Sequence, residues 1–244
     1  RKRHKIILMM DLGDIREGYV DEEELIAAAV ETEKLSRVDL YGIGTNLTCF
    51  SFIQADEEKM ERLAEMRKKV ENAAGHTLEI VSGGNSAALD LMMRGGICEG
   101  VDNFRLGESL LFGKERSRYT FLPGTRNDGF ILECEVVEAK VKPSLPWGTT
   151  GVDSYGRKPV FTNRGEKRKK VICAIGRQDF DAETATPVDE GILILGASSD
   201  DIMLDVTDCV KEYNVGDIVA LRVGCFSVLR AFTSPYVEKI FLKK

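Results

Sequence analysis

The feature that most constrains this chain is a change of pattern near residue 114. Before it, strand-like and helix-like segments alternate. After it, strand-like segments follow one another. HKIILMM (4–10) is a continuous apolar run, the pattern of a strand buried on both faces. Residues 22–35 and 56–75 have helical spacing with acids in the first turn, and Gly75 is suited to a helix C-cap. VDLYGIG (38–44), HTLEIVS (76–82) and VDNFRLGE (101–108) read as further strands, and AALDLMMRGG (87–96) as a third helix. This order predicts parallel strands joined by crossover helices. Ligands in such folds bind at the C-terminal ends of the strands. The loops of interest are therefore DLGDIREG (11–18), GTNLTCF (44–50), SGGNS (82–86) and RLGES (105–109).

Beyond residue 114, segments 130–142, 169–176, 191–197, 201–207 and 217–224 are strand-like and separated by turn signals such as Arg126-Asn127-Asp128-Gly129. No helix is expected among them. The prediction is an α/β region over 1–124 and a mostly antiparallel β domain over 125–244.

With 244 residues, the chain has room for one large domain or two smaller ones. Its net charge of -6 gives no bulk electrostatic signal for nucleic acid, and RKRHK (1–5) and KRKK (167–170) read as solvated strand flanks. No apolar run is long enough to cross a bilayer, and no signal-peptide pattern precedes the first strand. The expectation is a cytoplasmic protein with neither a membrane nor a nucleic-acid partner. Six scattered cysteines and two histidines, without a CxxC pair, give no metal site; most of the thiols are expected to be buried. The chain opens on a strand without an initiator Met, as the later part of a longer protein would.

SGGNS stands where a strand turns into a helix. It admits two readings: a phosphate or carboxylate site built from free backbone N–H groups, or a tight turn with Ser86 as N-cap. RLGES adds a second glycine turn on the next strand. Two such adjacent loops resemble the phosphate site after strands seven and eight of a (β/α)8 barrel. On that count the chain carries strands five to eight, and four strands do not close a barrel. Arg105, near the end of its strand, calls for a ligand or a carboxylate, or forms a salt bridge at the strand end. Tyr155, in DSYGRKP (153–159), is either a turn aromatic or a proton-transferring phenol with a lowered pKa.

Together, DLGDIREG, GIGTNLTCF (42–50), VSGGNSAALDLM (81–92), NFRLGESLLFG (103–113), VDSYG (152–156) and LGASSDDIMLDV (195–206) resemble the fold-type III pyridoxal-phosphate enzymes of the alanine racemase family. The likeness is strongest to the ornithine-racemase-like branch and covers nearly the whole chain. It implies the C-terminal half of a pyridoxal 5'-phosphate-binding (β/α)8 barrel followed by the β domain.

By that resemblance, Ser86 binds the cofactor phosphate with the backbone of Gly107 and Glu108, and Gly84 lies in the same cup. Arg105 hydrogen-bonds the pyridine nitrogen. Tyr155 is one of two acid–base groups and reaches into the partner subunit, which implies a homodimer with shared active sites. Arg16 lies near the substrate carboxylate, and Thr45, Ser199 and Asp200 complete the substrate pocket. Thr45 stands where alanine racemases carry a histidine. The family's phosphate-binding tyrosine is replaced around Leu229, and Tyr236 has no assigned place.

The implied activity is racemisation of a free amino acid by a two-base mechanism. The favoured substrate is ornithine or another basic amino acid, with Asp14, Asp200 and Asp201 as candidate receivers of a distal ammonium. The lysine that carries the cofactor belongs on the first barrel strand, which this chain lacks, so the chain by itself is expected to be inactive. The alternative is a non-catalytic cofactor-binding protein or an inactive fragment. A decarboxylase of the same fold fits less well, since that group's substrate-binding cysteine motif is not found.

Overall fold

The computed structural model describes residues 3–152 and 156–243. The chain forms two compact units, Arg1–Asn127 and Asp128–Lys244.

In the first unit, β1 (His4–Met9), α1 (Glu22–Glu33), β2 (Val38–Gly44), α2 (Glu57–Ala74), β3 (Ile80–Asn85), α3 (Leu89–Met93), β4 (Asn103–Arg105) and α4 (Glu108–Phe112) follow in order. The strands form one sheet, β1-β2-β3-β4. Every adjacent pair is parallel, as the strand–helix alternation predicts. Local chemistry sets the helix ends. The Asp21 and Asp56 carboxylates accept the N–H groups of Glu24 (3.0 Å) and Lys59 (2.9 Å), and Gly75 closes α2 at φ 79°. Leu25 and Ala29 of α1 and Met60, Leu63 and Val70 of α2 pack with Leu40, Ile43 and Val81 of the sheet. The apolar run of β1 is not buried on both faces as expected. The residues of β1 itself are half-buried or exposed, and only Met10, the last of the run, is fully covered. β1 is an edge strand, paired with β2 alone among the named strands.

In the second unit, β5 (Ile131–Pro143), β6 (Lys167–Cys173), β7 (Thr186–Pro187), β8 (Leu193–Ala197), β9 (Ile202–Asp205) and β10 (Ile218–Arg222) form a six-stranded sheet, β7-β10-β5-β6-β9-β8. All its pairs are antiparallel. Along β5 the period of two is plain: Leu132, Cys134 and Val136 point inward between exposed neighbours. They pack with Val171, Cys173, Phe180, Leu204, Tyr213 and Val219.

A helix, α5 (Cys225–Thr233), follows β10, where none was expected. In its sequence, CFSVLRAFT, Phe226, Leu229 and Phe232 recur at helical spacing, but the segment is only nine residues long and its aromatic and β-branched residues also suit a strand. The apolar residues Phe226, Leu229 and Phe232 are exposed, while Ser227 is buried. Polar contacts hold the helix. The Ser227 hydroxyl accepts the Asp181 N–H (2.9 Å) and donates to the Asp181 carbonyl (3.1 Å). Arg230 donates to the carbonyls of Arg177 (3.1 Å) and Phe180 (2.9 Å).

The cysteines also depart from expectation. Cys134 and Cys173 are buried, Cys98 and Cys209 half-buried, and Cys49 and Cys225 exposed. Among the described residues no helix is long and apolar enough to cross a membrane.

Candidate active site

The end of β3 answers why two glycines stand together. A Cβ on Gly83 would lie 2.6 Å from Val101 Cγ1 and 2.9 Å from Phe104 Cε1, so any side chain there would collide with the core. Gly84 takes φ +118°, which L-residues rarely adopt. Asn85, rather than Ser86, caps the following 3-10 turn, its Oδ1 accepting the Ala87 N–H at 2.7 Å. Ser86 is thereby released from the capping role that the tight-turn reading gave it. Its buried Oγ accepts the N–H groups of Gly107 (3.3 Å) and Ser109 (3.2 Å) and shares a hydrogen bond with Ser109 Oγ at 3.1 Å. The loops after β3 and β4 thus meet at one oxygen atom. The N–H groups aimed at it belong to Gly107 and Ser109; the Glu108 carboxylate instead receives Arg116 at 3.3 Å. Backbone N–H groups converging on an oxygen form the kind of concavity that takes an oxyanion.

Arg105 sits at the end of β4. Its Nη1 donates to the Ser82 hydroxyl, and its Nη2 to the Thr45 carbonyl at 2.8 Å. Withdrawal from water pulls the guanidinium pKa below its ordinary value, with the charge of Glu17 opposing that shift and Arg16 adding to it. A guanidinium has five N–H donors and stays protonated, so donors remain for a ligand. The fully buried Thr45 hydroxyl has no hydrogen-bond partner among the described residues. Such an atom marks either a cost to stability or a place for a ligand.

Arg16 does not stand free. Its Nη2 donates to Glu17 Oε1 at 2.9 Å, and its Nε pairs with Glu17 Oε2. The bond to Glu17 holds the Arg16 pKa above its usual value. Burial pushes the Glu17 carboxyl upward, but hydrogen bonds from Asn46 and Arg16 outweigh it and leave the pKa lowered. Asn46 Nδ2 reaches Glu17 Oε1 at 3.0 Å, and Asn85 Nδ2 reaches Asn46 Oδ1 at 2.6 Å. A polar chain therefore links the loops after β1, β2 and β3. Sequence reasoning missed Glu17, Asn46 and Asn85, although all three lie in loops it had singled out.

The loop acids nearby are structural. The Asp11 carboxylate accepts the N–H groups of Gly13 (2.8 Å), Ile15 (3.1 Å) and Arg16 (3.2 Å). Asp14, expected as a possible receiver of a distal ammonium, is buried and accepts the N–H groups of Phe50 (3.1 Å) and Ser51 (2.9 Å). It anchors one loop to another.

Arg16, Thr45, Gly84, Ser86, Arg105, Gly107 and Glu108 therefore gather at the C-terminal ends of the first unit's strands. Lys5, at the opposite end of β1, lies over the Tyr41 ring at 4.0 Å. Ser199 and Asp200 belong to the second unit, in the exposed turn between β8 and β9, where Ser199 Oγ donates to Asp200 Oδ2 at 2.7 Å. Leu229 and Tyr236 are exposed in the same unit. Tyr155 lies outside the described residues.

The parallel sheet with its ligand loops and the antiparallel β unit define a class, and comparison with known proteins identifies it. Residues 1–115 match the family described as alanine racemase, N-terminal domain. The chain belongs to the alanine racemase family. It is 43% identical over 241 residues to an ornithine racemase from Acetoanaerobium sticklandii, a match covering 99% of this chain and 68% of that protein. It is 41% identical over 241 residues to a lysine racemase from Thermotoga maritima, covering 99% of this chain and 66% of that protein. Solved structures share the fold. Alanine racemase from Oenococcus oeni superposes with a TM-score of 0.58 at 19% identity, over 91% of this chain and 58% of that one. D-threonine aldolase from Filomicrobium marinum gives 0.60 at 11% identity, over 93% of this chain and 57% of that one. The chain thus spans about two thirds of the curated relatives' length and less of these solved structures.

Proposed function

We propose that this chain supplies the phosphate- and ring-binding part of a pyridoxal-phosphate-dependent racemase acting on a free basic amino acid, ornithine or lysine. The observation that carries the proposal is the convergence of the Gly107 and Ser109 N–H groups on Ser86 Oγ, beside an arginine anchored by Ser82 and Thr45. The similarity to an ornithine racemase and a lysine racemase supports the choice of substrate.

The residues present fit the cofactor. The Ser86 and Ser109 hydroxyls, with the backbone N–H groups of Gly107 and Glu108 in the same turn, would hold its phosphate. Arg105 would meet its ring nitrogen through a donor not already engaged. The unpartnered Thr45 hydroxyl offers one further polar contact in the same place. Bound there, pyridoxal phosphate supplies an electron sink that makes the α-proton of an attached amino acid acidic. Arg105 stays protonated and keeps the ring nitrogen as an acceptor, which tempers that sink. Arg16 orients the substrate carboxylate. Tyr155, contributed by a second copy of the chain with the Ser199–Asp200 turn, exchanges a proton at one face of the α-carbon. The opposite face requires a second base, the role of the family's lysine.

The test is to incubate the natural gene product with pyridoxal phosphate and L-ornithine in D2O. Chiral chromatography and mass spectrometry should give the D-enantiomer with one deuterium at the α-carbon. Release of carbon dioxide without α-exchange would overturn the proposal. A cofactor-dependent visible absorption band that Ser86→Ala and Arg105→Leu both weaken would support the binding part on its own.

A further inference from the structure

We propose that Glu17 is the specificity-determining residue of this pocket, taking the distal ammonium of a basic amino acid when the substrate carboxylate takes Arg16. The inference rests on the racemase reading above and deepens it.

Glu17 is held in two independent ways. Arg16 grips both carboxylate oxygens from one side. From another, Asn46 Nδ2 donates to Oε1 at 3.0 Å. Asn46 is fixed in turn by Asn85, whose Nδ2 also reaches the Leu47 carbonyl at 3.0 Å and whose Oδ1 caps the turn after β3. When Arg16 swings to another carboxylate, Glu17 therefore keeps its place and orientation. The other two acids of the loop cannot take this part, because Asp11 and Asp14 are buried and occupied by backbone N–H groups. The Glu17 carboxylate is held chiefly by the Arg16 and Asn46 side chains, with its own backbone N–H as a lesser donor, and a side-chain partner can be exchanged.

The exchange is also cheap. The Arg16 and Glu17 side chains are 42% and 40% exposed, and ion pairs of that exposure contribute little to stability. Both charges act on Arg105, so the pair lies within electrostatic reach of the ring-binding arginine.

Charge balance then selects the substrate. An amino-acid carboxylate that captures Arg16 leaves Glu17 with Asn46 and its own backbone N–H as donors. Ornithine or lysine brings its own cation, and two ion pairs replace one. An apolar side chain leaves the carboxylate without a cation; it can accept about four hydrogen bonds and would keep the Asn46 amide and its own backbone N–H as donors. Selection works here by a penalty on the wrong ligand as well as by attraction to the right one.

The experiment compares wild-type protein with Glu17→Gln and Glu17→Lys, each loaded with pyridoxal phosphate. Calorimetry gives dissociation constants for L-ornithine, L-norvaline and L-glutamate, and α-proton exchange gives kcat/KM for each. Wild type should prefer ornithine to norvaline. Glu17→Gln should erase about 10- to 100-fold of that preference, the scale of one charge-assisted hydrogen bond, with cofactor affinity unchanged. Glu17→Lys should shift preference toward glutamate. If both variants keep the wild-type ratio of ornithine to norvaline, Glu17 is not the determinant, while the racemase reading stands. If wild type shows no preference for ornithine in either readout, both the basic-substrate reading and this inference fall.

Discussion

Arg105 Nη2 donates to the carbonyl oxygen of Thr45 at 2.8 Å, while the hydroxyl of the same Thr45 is buried with no hydrogen-bond partner among the described residues. One residue thus anchors the ring-binding arginine through its backbone and leaves its side chain unsatisfied. Thr45→Val keeps the backbone contact and removes the orphan. It should stabilise the ligand-free protein by about 1 kcal/mol in urea denaturation. It should also weaken pyridoxal phosphate binding about threefold to tenfold if the hydroxyl turns to the cofactor. An unchanged denaturation midpoint together with unchanged affinity would remove Thr45 from the site.

Ser86 is the acceptor at which two loops meet. Ser86→Ala leaves the Gly107 and Ser109 N–H groups without that acceptor. The expected loss is about 1–2 kcal/mol of stability, with faster amide exchange confined to residues 107–109. Uniform exchange changes across the first unit would instead point to global weakening.

Gly83 is a packing glycine. Gly83→Ala should cost about 1–3 kcal/mol by overpacking against Val101 and Phe104. Adding Val101→Ala makes room for the new methyl, so the double variant should lose less than the sum of the two single changes. Strict additivity would mean that the cost arises elsewhere.

The second unit carries a buried ion pair, Arg168 Nε to Asp205 at 2.8 Å, with side-chain exposures of 12% and 2%. Burial pushes the Asp205 pKa up, but Arg168 and Thr207 outweigh it and leave the value below the ordinary one. A depressed folded pKa contributes stability that is present above the unfolded value, about 3.9, and lost as pH falls through the folded value. Arg168→Met should destabilise the unit near neutral pH, because the Asp205 carboxylate loses its cation and keeps the Thr207 N–H and hydroxyl as donors. It should also flatten the acid limb of the stability curve. Thermal unfolding followed from pH 7 down to pH 2 measures both effects, and parallel curves for wild type and variant would contradict the assignment.

Much of the fold was legible because its determinants are local. The strand Val38–Gly44 and the helices opening at Glu22 and Glu57 stand where apolar spacing, capping acids and Gly75 put them. The loops named from strand–helix alternation are those that gather Arg16, Thr45, Ser86 and Arg105. Other features depended on partners distant in the chain. β3 was read as 76–82 and runs Ile80–Asn85, because its pairing with β2 begins only at Ile80 and its pairing with β4 resumes at Asn85 beyond the glycines. Asn85 took the cap from Ser86 because Gly107 and Ser109 draw the serine hydroxyl away. The helix Cys225–Thr233 escaped notice because contacts to Asp181, Arg177 and Phe180 hold it, and its apolar residues face outward.

The sequence alone determined the architecture, a parallel strand–helix region followed by an antiparallel one, since periodicity, caps and turns act over a few neighbouring residues. It also carried the family, through motifs whose order survives in the linear chain. Only the tertiary structure decided which side chains are available for chemistry. Asp14 and Glu17 are three residues apart in one acidic loop, yet one is buried under backbone N–H groups and the other is exposed in an exchangeable ion pair. Nothing local distinguishes them. The Phe50–Ser51 backbone and Asn46, brought across from the loop after β2, do.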